Sequence, residues 1–214
     1  TGINYTVAIG YQALEALTTG SENVALGYQS GTAITTGNYN TITGYGAGKG
    51  FTTGNGNTVY GREAMDSTTT DISDNTIIGY SAVGNASFAA DKTVFIGSLA
   101  GYSGAMTDAA DGTVAIGYAA GRYLTSGAGN TAIGYKALID QTDGGQNTAL
   151  GYEALLTENS GNFSTAIGYQ ALKVQDAAGT SGNTAVGNQA GLAISTGNQC
   201  TLVGYLAGDG ITTG

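Results

Sequence analysis

The chain of 214 residues contains no proline, no histidine and no tryptophan, and it has a single cysteine. Histidine is the usual side chain for acid–base chemistry near neutral pH and a common zinc ligand, so its absence argues against catalysis and metal binding. The lone Cys200 excludes an internal disulfide framework. The sequence has no run of about 18 apolar residues, so we expect no membrane-spanning helix within this segment.

Charge is also scarce, because only 10% of the residues are Asp, Glu, Lys or Arg, against about 25% in typical soluble domains. Fifteen acidic residues and six basic ones give a formal net charge of −9. An acidic surface repels phosphate backbones, so we expect no nucleic-acid partner. Most acidic residues, such as Asp71, Asp108, Asp143 and Glu158, follow polar turn sequences, and we expect them to face water.

Glycine is abundant instead, with 38 residues, over twice the usual share of about 7%. Many of them belong to a recurring motif, seen clearly as Asn130-Thr131-Ala132-Ile133-Gly134-Tyr135. Its glycine recurs twelve times at a nearly constant interval, at positions 10, 27, 44, 61, 79, 97, 117, 134, 151, 168, 187 and 204. Repeats this short bury no core alone, so they must stack on their neighbours. The sequence therefore predicts one repeat domain over residues 1–214.

Three residues before each glycine define the slots of a predicted strand. The first slot is always Thr or Val, the middle slot is Ala in seven copies, and the third slot is Ile, Leu or Val in ten. Because side chains alternate along a strand, the first and third slots share one face and the middle slot has the other. Both faces are uncharged, which is typical of a strand buried on both sides. One face can fill the coil, and we expect a second copy of the chain to cover the other.

The rest of the repeat predicts the path between strands. A second strand-like element should follow each glycine, with a small residue, as at Ala137, where backbones come close. Polar corners such as Thr125-Ser126-Gly127 should then close the coil, since glycine supplies the positive φ of a tight turn. An Asn begins most motifs, as at Asn147, and we expect these amides to stack as a ladder. Cys200 occupies that slot and is interpreted as a filler of the ladder.

The motif resembles the head repeats of trimeric autotransporter adhesins, the YadA-like family, and repeats of phage tail fibres. Thr6-Val7-Ala8-Ile9-Gly10 and Thr113-Val114-Ala115-Ile116-Gly117 carry the resemblance most closely. It implies an all-β, left-handed parallel β-roll, a β-solenoid of about twelve coils, packed as a homotrimer. It also implies attachment to a host receptor, glycan or matrix protein from the bacterial cell surface or a virion. The family's coils are shorter than the repeats of this chain, so the extra length here should enlarge the turns.

Tyrosine follows the glycine in nine of twelve copies, and two interpretations stay open for it. A regular tyrosine ladder stiffens the coil, whereas an aromatic platform binds sugars. Binding specificity is more often carried by irregular positions, so we predict a receptor site in the irregular copies and the insertion at positions 102–111. The candidate residues are Arg62, Ser98, Tyr102, Met106 and Asp108.

We expect no enzyme, no cofactor and no metal, because the sequence shows neither a catalytic carboxylate pair nor a repeated calcium-binding pattern. Two alternatives stay open: an ice-binding solenoid and a polysaccharide-binding or depolymerising tailspike segment. The first is weakened if the Thr slot is buried, as we interpret it. At about 4.8 Å per coil the rod should be roughly 55–60 Å long. Because it begins at Thr1-Gly2 and stops at Gly214 in mid-repeat, we expect a segment of a longer extracellular fibre.

Overall fold

A computed structural model describes residues 5–66, 71–84, 87–103 and 105–213. The termini on which the prediction of a longer fibre rests, Thr1-Gly2 and Gly214, lie outside these ranges. Within them, the chain forms strands, turns and one short 3-10 helix at Asp108–Ala110. The protein is therefore all-β in the described residues, as predicted.

Twelve three-residue strands form one parallel sheet in which neighbours in sequence are neighbours in space. Two further strands of two residues, β10 and β12, pair with each other at a corner. The strands are β1 Val7–Ile9, β2 Val24–Leu26, β3 Thr41–Thr43, β4 Thr58–Tyr60, β5 Thr76–Ile78, β6 Val94–Ile96, β7 Val114–Ile116, β8 Thr131–Ile133, β9 Thr148–Leu150, β10 Gly161–Asn162, β11 Thr165–Ile167, β12 Gly179–Thr180, β13 Thr184–Val186 and β14 Thr201–Val203. This arrangement is a parallel β-solenoid of about eleven turns.

Every strand of the large sheet pairs in register with the next, so each slot stacks on the same slot of its neighbour. In the first pair, Val7 lies beside Val24, Ala8 beside Ala25, and Ile9 beside Leu26. The β-branched residues of the first slot favour this extended conformation because their side chains are stiff at χ1. The predicted repeat and its strands are confirmed.

The middle slot points into the coil and the other two point outward. In β2, Ala25 is fully buried, while Val24 and Leu26 are 39% and 46% exposed. The same alternation holds in all ten inner strands of the large sheet. The core of the solenoid is therefore built on the middle slot.

In several coils the residue four positions after the motif glycine complements the middle slot in size. Where the middle slot is Ala132, Ala149 or Ala166, this position is Leu138, Leu155 or Leu172. Where the middle slot is Phe95, it is Gly101, and a Cβ on Gly101 would lie 2.7 Å from the Phe95 ring. In these four coils a large residue at one position stands beside a small one at the other, as close packing favours, whereas Val59 with Met65 and Ala115 with Gly121 do not follow this pattern.

The motif glycine ends each strand because no other residue fits there. Gly134 has a φ of +140°, and a Cβ on it would overlap the carbonyl oxygen of Gly151 in the next coil. Both the positive φ and the close approach of two backbones exclude a side chain. This requirement explains why the twelve glycines recur without exception.

The prediction of a second strand-like element after each motif glycine is wrong. Hydrogen-bonded turns follow each glycine, as where Ala137 N–H donates to the Gly134 carbonyl at 3.4 Å. Lys136 and Leu138, on either side of Ala137, have φ values of +55° and +50°. Alternation of left-handed and right-handed residues curls the chain instead of extending it. The prediction of a small buried residue at this position is confirmed, since Ala137 is fully buried.

The asparagine ladder is confirmed by its hydrogen bonds. Asn40 Nδ2 donates to Asn23 Oδ1 at 3.1 Å, and Asn57 Nδ2 donates to Asn40 Oδ1 at 3.0 Å. Asn40 Nδ2 also donates to the Gly54 carbonyl at 2.9 Å, so the buried amide is satisfied. Cys200 continues this column, where its N–H donates to Asn183 Oδ1 at 2.8 Å.

Glu158 departs from the prediction that the acidic residues of the turns face water. Its side chain is fully buried, whereas Asp71, Asp108 and Asp143 are exposed. Glu158 Oε1 accepts a hydrogen bond from Gly161 N–H at 2.7 Å. The prediction is wrong for Glu158 because buried donors satisfy this carboxylate inside the coil.

Candidate functional site

One surface of the molecule is uniform along its length: the outward face, which we define as the first and third slots of the twelve strands of the large sheet. All of these positions are uncharged in the sequence. Ile9 is 59% exposed, Leu150 42% and Val203 70%, so apolar side chains face solvent along its length. With about 4.8 Å between strands, this face is about 53 Å long.

The Thr slot belongs to this outward face. Thr41, Thr58 and Thr201 are exposed, and the other threonines of the slot are half-buried. Our interpretation that these threonines are buried is therefore wrong for the single chain. The outward face carries one rank of Thr and Val beside one rank of mostly aliphatic residues.

The tyrosine ladder runs along the sheet, two residues beyond the third slot. From Tyr118 to Tyr169 four rings stack with centroids 4.9–5.3 Å apart and interplanar angles of 8–14°. A second stack joins Tyr11, Tyr28 and Tyr45. Rings that stack on one another leave only their edges and hydroxyl groups to solvent. A sugar stacks on a ring face, so this geometry favours the structural interpretation of the ladder over the sugar platform.

Arg62 occupies one of the tyrosine positions of this ladder. Its guanidinium lies 5.9 Å from the Tyr45 ring centroid and 5.7 Å from that of Tyr80. It also forms an ion pair with Glu63 at 3.0 Å. A planar cation can stack between two rings as a ring does, so Arg62 continues the column.

The predicted receptor residues occupy different parts of the coil. Arg62 and Ser98 lie in the tyrosine column, Asp108 is exposed at the start of the 3-10 helix, and Tyr102 is half-buried. Met106 is 1% exposed and pairs with Phe88 in a parallel bridge. Met106 therefore belongs to the core and presents no side chain to a receptor. The structure does not bring the five residues into one site.

Arg122 is a surface residue that the sequence analysis missed. Its guanidinium lies 5.4 Å from the ring centroids of both Tyr102 and Tyr123. Its Nε donates to Ser103 Oγ at 3.5 Å. The signal was available in the sequence, because Arg62 and Arg122 are its two arginines. Arg122 fastens the start of the longest insertion to the following coil.

A polar contact lies next to the ladder at Glu153. Lys173 Nζ donates to Glu153 Oε2 at 2.7 Å, and Gln170 Nε2 donates to the same oxygen at 2.9 Å. The hydrogen bond from Lys173 lowers the pKa of Glu153, with a further lowering by Gln170 and an opposing effect of burial. At Asp140, burial raises the pKa and the nearby Asp176 raises it further. Both shifts thus arise from burial and from contacts between coils.

Neither a cleft nor a metal centre is formed by residues 5–66, 71–84, 87–103 and 105–213. These ranges enclose no pocket, and they contain no group of three Cys, Asp or Glu side chains placed to hold a metal ion. No helix in the same ranges is long and apolar enough to cross a membrane. The outward face and the tyrosine ladder are thus the candidate functional surfaces.

Comparison of the chain with family models, with curated proteins and with solved structures finds no match. The resemblance to YadA-like head repeats and tail-fibre repeats therefore stays a prediction from the motif.

Proposed function

We propose that this chain is a rigid segment of an extracellular attachment fibre, an adhesin head or a tail-fibre shaft, in which three copies pack through their outward faces. The left-handed coil and the trimer are proposed from the motif resemblance. The observation that carries the proposal is the uncharged outward face, continuous over all twelve strands.

The size of this surface fits an interface. A strip about 53 Å long and, with the tyrosine ladder, about 15 Å wide covers roughly 800 Å², above the few hundred Å² usual for an exposed apolar patch on a monomer. A stable interface buries about 800 Å² per partner. Val7, Ile9 and Leu26 stand 48%, 59% and 46% exposed in the single chain. Covering them with equivalent residues of another copy removes this apolar surface from water.

The distribution of charge supports the same assembly. The fifteen acidic residues lie outside the outward face, many of them at corners such as Asp108 and Asp143. Copies that meet through this face therefore bring no like charges directly together. Acidic corners left on the outside discourage lateral association of finished fibres. The arrangement is typical of a rod that assembles along one face only.

A charge placed on the outward face tests the assembly. We expect Ile116→Glu with Ile133→Glu to convert a trimer to a monomer, because each glutamate would be buried without a partner. The control is Ala109→Glu with Ala128→Glu, which adds the same charge at exposed corners. Light scattering measures the mass of each variant. A wild-type chain that is monomeric over the whole concentration range, or a face variant that assembles like the control, contradicts the proposal.

Attachment needs a separate measurement. The trimeric wild-type protein should bind intact bacterial or eukaryotic cells or a glycan or matrix array, and the monomeric face variant should bind at least about tenfold more weakly because avidity is lost. Retained trimer formation without binding to any surface would support a purely structural shaft and contradict the attachment role.

A second function, ice binding, has one observation in its favour: the outward rank of Thr and Val at regular strand spacing. It requires this face to contact water and excludes the trimer interface. Thermal hysteresis of the purified chain decides between them. We expect none; hysteresis that disappears in the Ile116→Glu with Ile133→Glu variant would favour ice binding.

A further inference from the structure

One column of the core changes from apolar to polar in three consecutive coils. The column consists of equivalent inward positions at the far corner of each coil. It is apolar at Leu17, Ile34, Phe51 and Leu124, polar at Gln141, Glu158 and Gln175, and apolar again at Ile194. All three polar side chains are fully buried. We call these three residues the polar column.

The polar column is joined by hydrogen bonds to the buried asparagine ladder. Gln175 Nε2 donates to Glu158 Oε2 and, at 2.9 Å, to Ser164 Oγ. Asn183 Nδ2 donates to Gln175 Oε1 at 2.8 Å, and Asn147 Nδ2 donates to Gln141 Oε1 at 3.3 Å. The carboxylate of Glu158 thus receives donors at both oxygens, from Gly161 N–H and from Gln175.

Ser164 shows that the two columns depend on each other. It stands where neighbouring coils have Asn147 and Asn183. Its shorter side chain takes the hydrogen bond from Gln175, and its hydroxyl lies 2.9 Å from that of Ser181. Ser164 of the ladder and Gln175 of the polar column are therefore direct partners.

The coils around the polar column are so alike that their strands define the pairing register poorly. The motif glycines from Gly117 to Gly168 are evenly spaced, and β8, β9 and β11 read Thr-Ala-Ile, Thr-Ala-Leu and Thr-Ala-Ile. A coil that pairs with its next-but-one neighbour during folding makes nearly the same strand contacts as the native pair. The strands alone distinguish the two registers poorly.

We infer that the polar column fixes the register of these coils during folding. If the coil of Glu158 paired with the coil of Ile194, Glu158 Oε2 would lose its donor from Gln175 and face an aliphatic side chain. A buried carboxylate oxygen that loses its donor and faces an aliphatic side chain is unfavourable, so this slipped register is disfavoured. A single buried polar group that fixes register in a repetitive core is an established physical device.

The test replaces the polar column with Gln141→Leu, Glu158→Leu and Gln175→Leu, which continues the apolar column of Leu124 and Ile194. All reporters carry Cys200→Ser and one cysteine pair at the corner next to the column. Asp176→Cys with Ser195→Cys reports the native register, since Asp176 N–H donates to the Ser195 carbonyl at 2.8 Å. Asn159→Cys with Ser195→Cys reports the slipped register, because two coil steps, about 10 Å, exceed the reach of a disulfide.

Each variant is unfolded, refolded by dilution and oxidised at once. The amount of cross-linked protein in the monomer-sized band is then measured. In the wild-type column we expect the native pair only. In the leucine triple variant we expect the slipped pair to rise at least about tenfold, because the buried carboxylate no longer opposes it. The matched control is Leu138→Met, Leu155→Met and Leu172→Met, which alters the core of the same coils without changing polarity, and it should leave the slipped pair at the wild-type level.

Two results would overturn the inference. One is a leucine triple variant that refolds with no more slipped cross-link than the control. The other is a triple variant that does not fold or is less stable than wild type in equilibrium denaturation, because the polar column would then be a stabilising contact and not a register device. Both results leave the proposed trimer untouched, since the column lies inside the coil.

Discussion

Two segments of this solenoid have the same kind of three-residue strand but differ in the spacing of their motif glycines and in the residues that follow those glycines. In the regular segment, residues 114–172, the motif glycines are evenly spaced and the tyrosine ladder is unbroken from Tyr118 to Tyr169. In the irregular segment, residues 58–113, the motif glycines Gly61, Gly79 and Gly97 are further apart, and Arg62 and Ser98 interrupt the tyrosines. The strands nevertheless pair in register through both segments.

The two segments show which positions of the repeat must keep their residue type and which accept substitutions and insertions. The strand triplet and the motif glycine set the coil-to-coil contact and do not vary in conformation. The exposed parts of the corners accept insertions such as the one that contains Asp108–Ala110. Substitutions at the required positions should therefore have equal effects in both segments, and substitutions elsewhere should not.

The largest expected effect is at the motif glycine. Gly134→Ala in the regular segment and Gly97→Ala in the irregular one should each cost about 4 kcal/mol of unfolding free energy, because a Cβ overlaps a carbonyl of the next coil at a positive φ. Gly112→Ala is the control: its φ is +72° with nothing within 4 Å, and it should cost about 1 kcal/mol. Urea denaturation measures all three. Unequal losses at Gly97 and Gly134 would contradict the shared requirement.

The next effect concerns core volume. Phe95→Ala should cost about 3–4 kcal/mol by leaving a cavity in the irregular segment. Adding Gly101→Leu recreates the Ala–Leu arrangement of the regular segment. Leucine tolerates the backbone conformation of this position, because the equivalent Leu138 has a φ of +50° and Gly101 has a φ of +61°. We expect the double variant to recover at least half of the loss in thermal unfolding. No recovery would show that a leucine at position 101 cannot fill the volume left by Phe95.

A smaller loss of unfolding free energy is expected in the tyrosine ladder, and it should differ between a tyrosine position and the arginine position. Tyr135→Ala removes stacking on both Tyr118 and Tyr152 and should cost about 1–2 kcal/mol. Arg62→Ala, between Tyr45 and Tyr80, should cost less than about 1 kcal/mol because exposed cation–π contacts are weak. Denaturant midpoints give the comparison. A larger loss at Arg62 than at Tyr135 would favour a specific role for the irregular rung.

The smallest effect is a pH dependence in the regular segment. The folded state lowers the pKa of Glu153 below its usual value of 4.5, so its contribution is complete above that value and is lost as the pH falls through the folded pKa. Because the pair lies at the surface, we expect less than about 1 kcal/mol. The thermal stabilities of wild type and Glu153→Gln should converge as the pH falls through the folded pKa of Glu153, which lies below 4.5. A constant difference across the acid range would show that the contact does not depend on charge.

The repeat, the strands and the ladders could be predicted because each rests on one residue type at a fixed period. The turns after each glycine could not, since Lys136 and Leu138 adopt a left-handed conformation that their residue types do not favour. The burial of Glu158 was missed because its partner Gln175 lies one coil later, and contacts between coils depend on corner geometry. The burial of Met106 could not be predicted either, because the residue types of the insertion do not show that it returns to the core.

The mass of the protein in solution shows whether the outward face is an assembly surface. Sedimentation equilibrium of the purified chain should give three times the chain mass of 21.2 kDa, falling to one chain in the Ile116→Glu with Ile133→Glu variant. A wild-type mass of 21.2 kDa at every concentration would contradict the account.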